Sequence, residues 1–178
     1  MSSSSSSSEQ LTAEQVIDAL NLTPHPEKGY FIETFRDRDT FPYTAAANAT
    51  GNSSDNTPGN RPHSTCIYYL LKGESGLSHW HRVLDAVEVW HHYAGAPLQL
   101  SLAWDDGSAV RDVVLGKDLL SGHRPQVIVQ KGEWQHAKSL GDWTLVGCTV
   151  APAFVFESFD MAPPGWEPHG DVARSESQ

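Results

Sequence analysis

The stretch from Gly73 to Gly95, GESGLSHWHRVLDAVEVWHHYAG, places His79 and His81 two apart and Glu88 seven residues after the second histidine. In an extended strand residues i and i+2 share a face, so the two imidazoles are expected to look the same way. Glu88 falls in the next β-like run, VEVWHHY, on the face it would share with Trp90 and His92. Two imidazoles and a carboxylate, turned inward from neighbouring strands of a closed sheet, have the chemistry to hold a metal or to move a proton.

Outward from this stretch the chain is a succession of short β-like runs. STCIYYLL leads into it, HWHRV lies within it, and PLQLSLAW, AVRDVVL, PQVIVQ, EWQHAKS, DWTLVGCTV and AFVFESFDM follow. Turn residues such as Asp105-Asp106-Gly107 separate them, and Gly116 to Pro125 reads as a turn with a short helical piece. Upstream, Tyr30 to Arg36 alternates as a first strand. About ten short strands with no long helix between them predict an all-β sandwich or barrel. One helix is expected, over residues 12–21. Thr12 and Gln15 form a capping box, Val16, Ile17 and Leu20 make its apolar stripe, and Pro24 and Pro26 prevent its continuation.

Residues 1–10 are a serine-rich tail, expected to be disordered, and 11–165 are expected to form a single domain. Within it, residues 38–62 are rich in Asn, Thr, Ser, Ala, Gly and Pro and predict a long loop insert, while 166–178 reads as an irregular tail. The formal net charge of −10 argues against nucleic acid and against anionic membrane surfaces as partners. No apolar run approaches the roughly 20 residues of a membrane span, and no secretory signal pattern follows Met1, so a cytoplasmic location is expected. Cys66 and Cys148 each sit inside an apolar β-like run and read as reduced, buried thiols. Phosphate-cradling glycine motifs and a G-x-S-x-G elbow are absent.

The spacing Gly73-x5-His79-x-His81-x6-Glu88-x6-Gly95 resembles the first cupin motif, with about two residues more than usual before the glutamate. At the turn of the second motif stand Gln130-Lys131-Gly132, with Gln135 at the position of the usual histidine. The phrases PHPEKGYFIETFR, WHRVLDAVEVWHHYAGAPLQL, LGKDLLSGHRPQVIV and GEWQHAKSLGDWTLVGCTVAP, in that order, resemble the fifth cupin family, a domain of unknown function. The resemblance covers about residues 12–162. It implies a double-stranded β-helix (the cupin jelly-roll barrel), a homodimer, and an open-ended barrel with a small-molecule pocket similar in shape to deoxysugar 3,5-epimerases. This chain departs from the family in Gln130-Lys131 where Pro-Ala is usual, and in Ala153 where glycine is usual.

Three functions fit the expected pocket. In the first, His81 is a base oriented by Glu88, and the protein is an isomerase or epimerase acting on a carbonyl or sugar-like substrate. Arg36, Tyr68, Trp90, His92 and Gln135 are then the candidate substrate-binding residues, Arg36 for a phosphate or carboxylate. In the second, His79, His81, Glu88 and Gln135 hold a divalent metal (Fe, Mn, Ni or Zn) in an oxygenase or lyase. In the third, the barrel binds a small molecule without turnover, its ligand held by aromatic and polar side chains.

Overall fold

The alternation in the β-like runs is realised as two antiparallel sheets that face each other across an apolar interior. The computed structural model describes residues 11–43 and 59–169. After helix α1 (Ala13–Leu20) come strands β1 (Thr23–Pro24), β2 (Tyr30–Arg36), β3 (Thr40–Tyr43), β4 (Gly59–Pro62) and β5 (Thr65–Lys72). Next are β6 (His81–Val83), β7 (Val87–Gly95), β8 (Leu98–Ala103) and β9 (Arg111–Leu115). The chain finishes with β10 (Gln126–Val129), β11 (Trp134–Ser139), β12 (Trp143–Ala151) and β13 (Phe159–Met161). One sheet has the order β1-β2-β5-β12-β7-β10, and the facing one β13-β6-β11-β8-β9. This is the expected all-β double-stranded β-helix with a short N-terminal helix.

Large side chains from alternate positions meet between the sheets. Tyr69 and Leu71 of β5, Trp90 of β7, Val146 of β12 and Leu98, Leu100 and Leu102 of β8 form one buried cluster. The helix covers the outer face of the larger sheet, where Ala13 and Val16 pack with Leu22, Leu70 and Trp143. Its N-terminus is capped as read from the sequence: Gln15 N–H donates to Thr12 Oγ1 and Thr12 N–H to Gln15 Oε1. Cys148 is buried and Cys66 half-buried, and both are free thiols.

Three expectations change. Residues 38–62 are not a structureless loop at their two ends, because β3 and β4 pair as an antiparallel ribbon from Thr40↔Pro62 to Tyr43↔Gly59. The rest of that insert, like residues 1–10 and the end of the C-terminal tail, lies outside the described residues. Gly116 to Pro125 holds turns and no helix, since Asp118 caps Ser121 N–H and hydroxyl locally and leaves the segment folded on itself. The run AFVFESFDM is a strand only over Phe159–Met161; a single 3-10 turn at Phe156–Ser158 interrupts it. Residues 166–169, the part of the tail that is described, hold no helix or strand, and the Trp166 ring lies 4.5 Å from that of Trp134.

The ribbon is fastened to the barrel at its base. Arg61 donates from Nη1 to Asp85 Oδ2 at 2.7 Å and from Nε to the Ala153 carbonyl at 2.6 Å. Both charged side chains are at most 5% exposed. Ser158 donates to the same carboxylate at 2.5 Å. A buried pair of this kind adds little by existing but costs much when halved. Asp85→Asn is therefore expected to lower the unfolding free energy by about 3–5 kcal/mol in urea titrations. The double replacement R61M/D85L, which strands no charge, is expected to cost less than the single one.

Candidate functional site

At one end of the barrel the packing between the sheets opens into a cavity of about 280 Å³. Smaller side chains leave the room: Thr65 and Ile67 of β5, Val83 of β6, and Cys148 and Val150 of β12 line it. Phe31, Phe154, Phe156 and Phe159 give it aromatic walls, and Glu33, Arg36 and Glu157 add charge. His25, Glu27, His81 and Glu88 supply its buried polar groups.

The centre of the site is His81, at the start of β6 and 3% exposed. Its Nδ1 lies 3.0 Å from the His79 carbonyl oxygen and its Nε2 2.9 Å from Glu27 Oε2. Both partners are acceptors, so both ring nitrogens carry protons and the ring is an imidazolium. Burial by itself disfavours that charge. The Glu27 carboxylate, by charge and by hydrogen bond, outweighs it with help from Glu88 and the His79 carbonyl, and the His81 pKa rises to about 9. Burial likewise pushes the Glu27 carboxyl up, but the charge and hydrogen bond of His81 reverse this and hold it below the usual range. Glu27 stays ionised.

Glu27 comes from the loop before β2, a position that no periodicity in the sequence marked. Lys28 and Gly29 both have positive φ, +83° and +72°, and fold the loop back onto the barrel. A Cβ on Gly29 would lie 2.6 Å from the Leu70 carbonyl oxygen. Lys28 is not a glycine, and its conformation is over-determined: Tyr69 Oη donates to its carbonyl at 3.0 Å, while its Nζ donates to the Leu77 and Ser75 carbonyls. The Glu27 carbonyl also accepts the His79 N–H. The signal for Glu27 was the phrase PHPEKG itself, an acid set between a turn proline and a Lys-Gly turn.

Glu88 reaches the cavity from β7, on the face shared with Trp90 as read from the sequence. Gln135, fully buried on β11, donates from Nε2 to Glu88 Oε2 at 2.6 Å and accepts the Trp90 indole N–H at 2.9 Å. Burial raises the Glu88 pKa, the nearby Glu27 charge adds to this, and His81 and Gln135 only partly oppose it. His25 also faces the cavity rather than serving as a mere turn residue. Its Nδ1 accepts the Glu27 N–H at 3.3 Å, and its ring meets Phe31 edge-on. Burial lowers its pKa.

Of the residues singled out from the sequence, His81, Glu88 and Arg36 come together around the cavity, and Gln135 stands behind Glu88. His81 is oriented by Glu27, whereas Glu88 was expected to do so. Trp90 supports Gln135 without lining the cavity, and His92 is occupied at the Ala96 carbonyl, 3.1 Å from Nε2. Tyr68 points to the outer face of its sheet, against Tyr93. His79 does not line the cavity beside His81; β6 begins only at His81, and the alternation of a strand does not reach back to residue 79. The four expected metal ligands are thus not gathered: His79 does not line the cavity, and Gln135 is spent on Glu88. Among the described residues no group of three or more His, Cys, Asp or Glu side chains is placed to hold a metal ion. Arg36 is committed too, with Nε and Nη2 on the Glu33 carboxylate at 2.9 and 2.6 Å.

Residues 14–162 match the model of Cupin_5, described as cupin superfamily (DUF985). The chain belongs to this cupin family. It is 29% identical over 151 residues to the uncharacterized protein YML079W of Saccharomyces cerevisiae, covering 81% of this chain and 72% of that protein. A hypothetical protein from Leishmania major superposes with a TM-score of 0.68 at 31% identity, over 84% of this cupin and 86% of that chain. Protein SO0799 from Shewanella oneidensis gives 0.70 at 30% identity, over 86% and 85%. The capsular polysaccharide assembling protein CapF from Staphylococcus aureus shares the fold alone, with a TM-score of 0.52 at 10% identity over 78% of this cupin and 33% of CapF. No helix among the described residues is long and apolar enough to cross a membrane.

The His81–Glu27 pair ties stability to pH with a definite sign. The folded-state pKa of His81, about 9, lies above its ordinary value of 6.5. Above pH 6.5 the unfolded chain loses this proton while the native one keeps it, so the stabilisation is complete below 6.5 and is lost as pH rises through about 9. Chemical denaturation between these limits is expected to show stability falling with pH, and a much flatter profile in Glu27→Gln.

Proposed function

We propose that this cupin binds a small carbonyl or sugar-like molecule in the cavity and moves a proton on it, as an isomerase or epimerase does. The observation that carries the reading is the arrangement of two carboxyls around one imidazolium. Glu27, paired with His81, is pushed down and stays charged, while Glu88, buried and facing the same cavity, is pushed up. Titratable groups whose environments drive their pKa values apart mark acid and base roles. A carboxylate whose pKa is raised towards neutrality is better suited to take a proton at working pH.

In this reading Glu88 is the base. It removes the proton from the carbon beside the ligand's carbonyl, and the C–H electron pair passes through the new C=C bond onto the carbonyl oxygen. His81, already charged and lining the cavity, stabilises that developing negative charge through space while its two N–H groups stay on Glu27 and the His79 carbonyl. Glu27 keeps the imidazolium charged and in place. Glu88 then gives the proton back: to the same carbon, which exchanges the hydrogen and yields the epimer when the enolate presents its other face, or to the former carbonyl carbon, with the neighbouring hydroxyl proton passing to the former carbonyl oxygen, which yields the isomer. The role first expected of His81, that of the base, does not suit a ring that holds both its protons at neutral pH.

The experiment is solvent-exchange NMR in deuterium oxide with α-hydroxyketones, dihydroxyacetone and 2-hydroxyacetophenone among them. Incorporation of deuterium at the carbon next to the carbonyl is expected, falling by about 10²–10⁴ in Glu88→Gln while binding is retained. A probe that binds but does not exchange faster than in buffer would overturn the reading and leave a binding protein without turnover.

A further inference from the structure

The charges around the cavity are already matched to one another. Arg36 has Nε and Nη2 on Glu33, and both Nη1 and Nη2 lie 3.3 Å from the Phe154 carbonyl oxygen. The His81 imidazolium has its Nε2 on Glu27 and its Nδ1 on the His79 carbonyl. Four carboxyls (Glu27, Glu33, Glu88 and Glu157) line the cavity against these two cations. An anionic ligand would have to displace a carboxylate from its partner and then sit among the others. A phosphate or carboxylate on the ligand meets no cation free to receive it.

Beside Glu88, the His25 ring is open to the ligand. The His25 side chain is 8% exposed, and its Nδ1 accepts the Glu27 backbone N–H at 3.3 Å. A nitrogen that accepts is unprotonated, so the proton of the neutral ring is on Nε2. Among the described residues no hydrogen-bond partner of that Nε2 is found, and the ring lines the cavity. It offers an uncharged N–H donor, suited to a carbonyl or hydroxyl oxygen. Beside it Phe31, Phe154 and Phe159 provide flat apolar walls. The volume, about 280 Å³, is at the lower edge of ligand pockets and equals the space of roughly nine waters at about 30 Å³ each.

We infer that the ligand of this cavity is a compact uncharged molecule, with an oxygen acceptor at His25 Nε2 and an apolar body against the phenylalanine walls, and that phosphorylated or carboxylated compounds are excluded. This rests on the proposed use of the same cavity and narrows the substrate class. It also reverses the role first given to Arg36. The Glu33–Arg36 pair acts as a charge plug at the mouth.

A matched pair of probes tests it by calorimetric titration: 2-hydroxyacetophenone, which is neutral, and phenylglyoxylate, which has the same skeleton with a carboxylate at its end. The wild-type protein is expected to bind the neutral probe at least about 10-fold more tightly. Glu33→Gln, which frees the Arg36 guanidinium, is expected to tighten phenylglyoxylate binding by about 10-fold and leave the neutral probe nearly unchanged, since a charge-assisted hydrogen bond is worth about that factor. His25→Phe is expected to weaken the neutral probe by about 5–10-fold with the fold intact by circular dichroism. Absent binding of the neutral probe, equal or tighter binding of phenylglyoxylate by the wild type, or an unchanged affinity in His25→Phe would overturn the inference. Charge selectivity without proton exchange would instead leave it standing and remove the catalytic reading alone.

Discussion

A charge in an apolar barrel persists only where its partners are fixed, and the contact between His81 and Glu27 imposes that demand on much of this structure. The two residues come from distant parts of the chain, one from the start of a strand in the smaller sheet and the other from the loop that precedes the larger sheet's second strand. Removing two ions from water costs several kcal/mol each unless geometry and hydrogen bonds repay it. The surroundings supply that repayment. The His79 carbonyl takes the second imidazole proton, the Glu27 carbonyl takes the His79 N–H, and the Tyr69 hydroxyl holds the Lys28 carbonyl of the intervening turn. The strained backbone at Lys28 and Gly29 belongs to the same set, because only a sharp turn brings a loop carboxylate to this depth.

The barrel interior divides into a filled end and an open one by side-chain size. Leucines of β5 and β8 with Val146 close the filled end, while Thr65, Val83, Cys148 and Val150 leave space at the other. Trp90 and Gln135 stand between, both fully buried. They give the apolar packing a polar edge on which Glu88 can rest without being stranded. The cavity is therefore a place where the same β-strands change composition halfway along, completed by the loop that carries His25 and Glu27 and by the segment from Phe154 to Phe159.

The sequence was most informative where a short-range rule governs. The Thr12–Gln15 cap, the face shared by Glu88 and Trp90, and the family resemblance through Gly73 to Gly95 were all legible, and so was the barrel. The placement of His79 was not, since alternation holds only inside a strand and the strand starts two residues later. Glu27 escaped because the contact that gives it a role spans 54 residues of chain, from 27 to 81, and loops carry no periodicity. The roles of Arg36 and His25 depend on which acceptors and donors surround them, which a residue type alone does not specify. The ribbon of β3 and β4 was hidden by Pro42, Gly59, Asn60 and Pro62, residue types depleted from strands.

The indole of Trp90 can donate a hydrogen bond but never accept one, and this gives the barrel's polar interior a one-way order. Because the indole N–H claims the carbonyl oxygen of Gln135, the amide cannot turn over, and its NH₂ must face Glu88. A carboxyl oxygen that receives a donor from behind is held as an acceptor, so a proton on Glu88 is carried on its other oxygen. The polarity of a buried carboxyl is thus written by a tryptophan that does not line the cavity, so that a change at this core position would alter the protonation of Glu88 before it altered the shape of the cavity.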